Sequence, residues 1–146
     1  MKKQVILFIA VFFSTQLLWA QATPTQQMEE FINQKGDGFN KSYDSRDTKS
    51  FNSLLNEYLV IYEKLPAEDK KQYTYLLGNI YYNLTCIYSL LNNKASALTY
   101  FGKAIDAGYN DYGPVQNDTD LENIRNEKEF AQLNWEQILK VKPTTT

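Results

Sequence analysis

Apolar positions along most of this chain are separated by steps of three and four, the spacing of one face of an α-helix. The clearest run is Tyr73, Leu76, Leu77, Ile80, Leu84, Ile87, Tyr88 and Leu91, inside a proline-free stretch from Ala67 to Leu91. Glu68 and Asp69 fall in its first turn, where negative charge favours the positive end of the helix dipole. Before it, Phe51, Leu54, Leu55, Tyr58, Leu59 and Tyr62 form a second stripe, opened by Asp47 as a cap and stopped at Pro66, whose ring disfavours helical geometry at Leu65. Earlier still, Thr23-Pro24-Thr25-Gln26 reads as a capping box with proline at the first helical position, followed by Met28, Phe31, Ile32, Lys35 and Phe39. Gly36 and Gly38 interrupt that segment, each at a cost on the order of 1 kcal/mol relative to alanine, and predict a kink or break.

Downstream, Asn92-Asn93 is a turn, and a helix is expected over Lys94 to Ala107 with Ala97, Leu98, Phe101, Ala104 and Ile105 inward. Gly108 is placed for a left-handed C-cap. Asn110 to Asn117 reads as a loop, Asp118 as the cap of a short helix carrying Leu121 and Ile124. Asn126-Glu127-Lys128-Glu129 is a second capping box, starting a last helix with Phe130, Leu133, Ile138 and Leu139. No strand pattern of consequence is present, so the fold class is all-α.

The first residues follow a different pattern. Lys2 and Lys3 precede a continuous apolar run, Val5 to Phe13, and small residues then stand at Ala20 and Ala22. This is the order of a cleavable signal peptide, with cleavage after Ala20 or Ala22. The run is shorter than the roughly 20 apolar residues of a membrane span. The expected organisation is a signal over 1–22, a helical domain over 23–142 and a disordered tail over 143–146. The expected location is outside the cytoplasm, periplasmic or secreted, with no stable membrane insertion after cleavage.

Composition narrows the chemistry. The 15 bases less Lys2 and Lys3 leave 13 against 17 acids, a charge of −4 for the remaining domain, which argues against nucleic-acid binding. Histidine is absent, removing the commonest general base and metal ligand. Cys86 is the only cysteine, so no internal disulfide forms. It sits late in a helix with no cation beside it in sequence, unlike an activated thiol. Asp111, Asp118, Asp120 and Glu122 do not fall in the alternating register, with central glycine and distal glutamate, of a calcium loop. No catalytic residue, metal site or cofactor is expected. Tyrosine, at 11 copies, is the unusual component and suits helix packing as well as wet interfaces.

Residues Tyr81 to Tyr109 resemble one tetratricopeptide repeat (TPR), a pair of antiparallel helices of about 34 residues. The family's packing pattern is met by Tyr81, Leu84, Thr85 and Tyr88 in the first helix and by Ala97, Phe101 and Ala104 in the second. Small residues there let the helices approach while aromatics fill the wedge. Gly108-Tyr109, Asp118-Thr119-Asp120-Leu121 and Glu129-Phe130 resemble the closing repeat of bacterial TPR arrays. Leu54, Tyr58, Ile61 and Pro66 resemble the second helix of a preceding repeat, whose first helix, around Phe31 to Tyr43, is degenerate. The resemblance implies a short right-handed stack of helical hairpins, two repeats plus a capping end.

It also implies a concave face, on which Asn79, Tyr82, Cys86 and Ser89 are the candidate binding positions. That helix offers no base in this stretch, so the expected ligand is an extended peptide rather than a charged terminus, with Tyr82 as an aromatic anchor. The function expected from the sequence is an exported, non-enzymatic adaptor of the cell envelope, bound to an unidentified protein or peptide. Two alternatives stand beside it: an accessory subunit or remnant of an envelope hydrolase, and self-association through the exposed edges of a short stack.

Overall fold

A computed structural model describes residues 22–133 of the chain. The expected signal run over residues 1–21, the tail over 143–146, and Ile138 and Leu139 lie outside the described residues. Within them every regular element is helical: α1 (Pro24–Asp44), α2 (Thr48–Tyr62), α3 (Ala67–Leu90), α4 (Lys94–Asp106), α5 (Tyr112–Asn117), a 3-10 turn (Thr119–Leu121), α6 (Glu122–Arg125), and a helical segment over 128–133, here α7.

The local signals act as read. Thr23 caps α1: its hydroxyl accepts from the Gln26 amide at 3.2 Å, and the Gln26 side chain accepts from the Thr23 amide at 2.9 Å. Asp47 caps α2, accepting from the amides of Lys49 and Ser50. α2 gives way to a turn before Pro66, with Leu65 buried between the two helices. Gly108, at φ +85°, closes α4: its amide donates to Ile105 and that of Tyr109 to Ala104, both at 2.9 Å.

Two expectations change. α1 runs unbroken through Gly36 and Gly38. At Gly38 a Cβ would lie 3.0 Å from Leu54 Cδ1, so the missing side chain is what lets α2 approach. Edge-to-face aromatics then hold the pair together, Phe31 to Phe39 at 6.3 Å, Phe39 to Phe51 at 5.0 Å and Phe31 to Tyr58 at 6.0 Å. Tertiary packing of this face outweighs the low propensity of the glycines. The segment expected as a loop over 110–117 instead contains α5. Pro114 falls in its first turn, where the missing N–H has no intrahelical partner to lose, and Val115 is fully buried.

α3 is the element around which the others are arranged. It contacts α1, α2, α4, α6 and the 3-10 turn, and ten of its residues are buried, on nearly every side of the helix. One apolar cluster joins it to α1 and α2 through Tyr73, Leu77, Ile80, Leu84 and Ile87. A second joins its Tyr82 and Cys86 to Ala97, Phe101, Ala104, Val115, Leu121, Ile124 and Phe130. Its most extensive partner is α4, whose Ala97, Phe101 and Ala104 are fully buried. Tyrosines seal the seams. Tyr88 stacks on Tyr100 at 5.4 Å, Tyr81 lies beside it, and Asn52 of α2 accepts from the Tyr100 hydroxyl while donating to that of Tyr88. The buried Tyr58 hydroxyl donates to the Tyr73 carbonyl at 2.8 Å.

Gly78 marks the closest approach to α3. A Cβ there would lie 3.1 Å from the Tyr109 amide nitrogen and 3.4 Å from the Ala107 carbonyl oxygen. Backbone cannot swing aside as a side chain can, so Gly78→Ala forces the α4–α5 turn away from α3. We expect it to destabilise the fold by about 1–3 kcal/mol despite alanine's better helix propensity. Urea unfolding checks this; an unchanged or higher midpoint would show that the turn yields freely.

Candidate functional site

The four candidate binding positions on α3 have two different fates. Asn79 is half-exposed and stands at the edge of a cavity. Tyr82, Cys86 and Ser89 are buried, at 7%, 1% and 0% exposure. The expectation of a tyrosine-bearing open groove is therefore corrected. The chain after α4 folds back across this part of α3, anchored by Tyr109, Val115, Leu121 and Ile124. Tyr82 stacks against Tyr109 with ring centroids 4.4 Å apart. The Ser89 carbonyl accepts from the Asn123 side chain at 2.8 Å, while Ser89 Oγ has no hydrogen-bond partner among the described residues.

Beneath this cover lies a polar knot that sequence spacing did not bring together. The Tyr82 hydroxyl donates to Asp118 Oδ2 at 2.7 Å, and the Cys86 thiol donates to the same oxygen at 3.6 Å. The Tyr43 hydroxyl, from the end of α1, donates to Asp120. Asp118 also caps the 3-10 turn, as expected, accepting from the Asp120 amide at 2.9 Å. Arg125 completes the closure by donating to the carbonyls of Val115, Gln116 and Asp118, which satisfies acceptors left open at the end of α5.

The Cys86 sulfur and one oxygen from each of Asp118 and Asp120 lie within 4.8 Å of one another, a spacing that could suit a cation. Burial, then the charge of Asp118, pushes the Cys86 thiol up, so without an ion the sulfur is held as a thiol that donates to Asp118. Burial likewise pushes up the phenols of Tyr43 and Tyr82, helped by their carboxylate partners, and keeps them as donors. The arrangement joins α1, α3 and the C-terminal segment; sequence reading missed it because the side chains that bond between these elements are 32 to 77 positions apart.

An open feature among the described residues is a cavity between α1 and α3, about 140 Å³ in volume. Its apolar walls are Ile32 and Phe39 of α1, Tyr58 of α2, and Leu76 and Ile80 of α3. Gly36, Asn40, Asn79 and Asn83 complete it, and no charged residue lines it. The Asn79 amide donates to the Tyr75 carbonyl at 2.9 Å, leaving its oxygen available. Asn40 and Asn83 commit their side chains to no hydrogen bond within the described residues. Of the four candidate binding positions only Asn79 lines this cavity; the other lining residues come together because α1 lies beside α3.

No known family matches the chain. Nor does any solved structure. Among curated proteins it is 28% identical over 109 residues, 73% of the chain, to a chloroplastic protein of Arabidopsis thaliana. The match takes in 32% of that protein, so the chain spans about a third of the length of this relative. The comparison corrects the expected periplasmic or secreted location, since the relative is a chloroplast protein.

The buried hydroxyls and thiol make stability depend on pH. Burial raises Tyr43, Tyr58, Tyr82, Tyr109 and Cys86 in the folded state. The unfolded chain releases these protons near ordinary values, about 8.5 for cysteine and 10 for tyrosine, so above them it holds fewer protons than the folded chain. Stability is full below that range and falls as pH rises through it. We expect helicity to hold to about pH 9 and to be lost cooperatively above about pH 10, with the main rise in tyrosinate absorbance at about 295 nm in the same transition. Complete tyrosine ionisation with helicity retained would contradict this.

Proposed function

We propose that this chain is a non-enzymatic protein-interaction module, built as a short TPR-like stack of two hairpins with a C-terminal closing segment. The observation that carries the reading is the carboxamide-bearing cavity between α1 and α3. In a stack of hairpins those are the two first helices, whose shared face is the binding face of repeat proteins. The packing supports the same reading. Ala97, Phe101 and Ala104 of α4 share one apolar cluster against which Tyr81 and Tyr88 of α3 pack, an arrangement in keeping with a repeat hairpin. α1 pairs with α2, α3 pairs with α4, and α1 also touches α3.

Binding rather than catalysis is favoured by the state of the polar groups. The one thiol is buried and held protonated, and the clustered carboxylates accept hydrogen bonds from tyrosines and from a backbone amide. The cavity is lined by neutral groups. General acid–base work needs a titratable group within reach of a bound substrate, whereas a neutral, largely apolar cavity with a few convergent polar groups suits recognition.

A photocrosslinking residue introduced at Asn79, with an exposed control at Thr99 on α4, tests this in cells of the source organism. We expect discrete protein adducts from position 79 that are absent from position 99. Equal labelling from both positions, or none from either, would contradict a binding face between α1 and α3.

A further inference from the structure

We propose that the α1–α3 cavity receives one uncharged apolar side chain, of leucine to phenylalanine size, from an extended segment of a partner protein, and that Gly36 sets the size of what enters. This rests on the interaction-module reading above and goes beyond it by naming the chemistry recognised. The starting observation is that Gly36 has no structural reason to be glycine. It sits in the middle of α1, where glycine destabilises a helix relative to alanine. Its backbone is not left-handed, and a Cβ built there would meet nothing within 4 Å. Gly38 and Gly78 differ: a Cβ would lie 3.0 Å from Leu54 at the first and 3.1 Å from Tyr109 at the second. What Gly36 does border is the cavity. The missing side chain keeps that space open.

Volume and polarity then define the occupant. At about 140 Å³ the cavity is close to the roughly 150 Å³ apolar cavity known to take up benzene, so it fits one side chain and not a whole cofactor. Its walls are aliphatic and aromatic, and a charged group placed there would lose water without gaining a partner. The neutral carboxamides of Asn40, Asn79 and Asn83 each offer donors and an acceptor. That is the complement of the amide and carbonyl groups flanking an inserted side chain in an extended peptide. Tyr75, 55% exposed and one helical turn before Asn79, extends the same face with an aromatic surface.

The test uses the full chain and random octapeptides displayed on phage, followed by synthesis of the enriched sequences. We expect enriched peptides to share a leucine, isoleucine, methionine or phenylalanine whose replacement by aspartate weakens binding at least about tenfold. Gly36→Leu, which fills the cavity, should weaken binding by at least about the same factor with helicity retained. Gly36→Ala should move stability and affinity in opposite directions, raising the melting midpoint by about 2–5 °C while weakening binding a few-fold. A purely structural glycine would not show that opposition, and Gly36→Ala carries the test if Gly36→Leu fails to fold. The proposal is overturned if no peptide is enriched, if the essential residue is charged, or if binding ignores both Gly36 variants. Peptides bound tightly but insensitive to Gly36 would overturn this inference and leave the interaction-module reading standing.

Discussion

Burial of α3 on nearly all sides is the constraint on which the rest of the structure depends. A helix that is apolar around its circumference must be covered around its circumference. Here one cluster covers it from α1 and α2, and the other from α4 and the C-terminal segment. The need for cover explains the small residues. Gly78, Thr85, Ala97 and Ala104 allow close approach where several helices converge on one axis. It also explains the tyrosines, whose rings fill the seams while their hydroxyls reach carbonyls, asparagine or carboxylates at the edges of each cluster.

The polar knot at Tyr43, Tyr82, Cys86, Asp118 and Asp120 follows from the same constraint. Folding the 3-10 turn back onto α3 brings two carboxylates toward a largely apolar surface, which is costly unless they are hydrogen-bonded. Two phenols, a thiol and a backbone amide supply those bonds. What looks like a cluster of reactive groups is thereby a closure, with burial holding the phenols and the thiol in their neutral forms. Among the described residues, α1 and α3 leave an open space between them, bordered by Gly36.

Local features were legible in the sequence. The capping box at Thr23, the caps at Asp47 and Asp118, the left-handed Gly108 and the α3 stripe as far as Tyr88 each depend on residues a few positions apart, and all are present, whereas Leu91, read as the end of that stripe, is the exposed C-cap. Features set by distant contacts were not legible. The continuity of α1 through Gly38 depends on Leu54, and the helical form of 112–117 accompanies burial of Val115. Tyr82, Cys86 and Ser89 were assigned to an open face because helical spacing tells which residues share a side, not what later chain covers it. Asn79 lies at the edge of the cavity, and Asn40, Asn83 and Gly36 come to line it only because α1 lies beside α3. The location expected from the N-terminal pattern was overturned by the relationship to a chloroplast protein, which no local pattern in this chain could disclose.

If α3 is the shared wall of both clusters, neither hairpin can open without exposing it, and the described helices form one cooperative unit. Native-state hydrogen exchange measures this directly, because amides that open only through global unfolding share one opening free energy. The slowest amides of α1, α2, α3 and α4 are expected to share a single value and to respond together to denaturant. A markedly lower opening free energy for the α1–α2 hairpin, with protection of α3 and α4 intact, would contradict it.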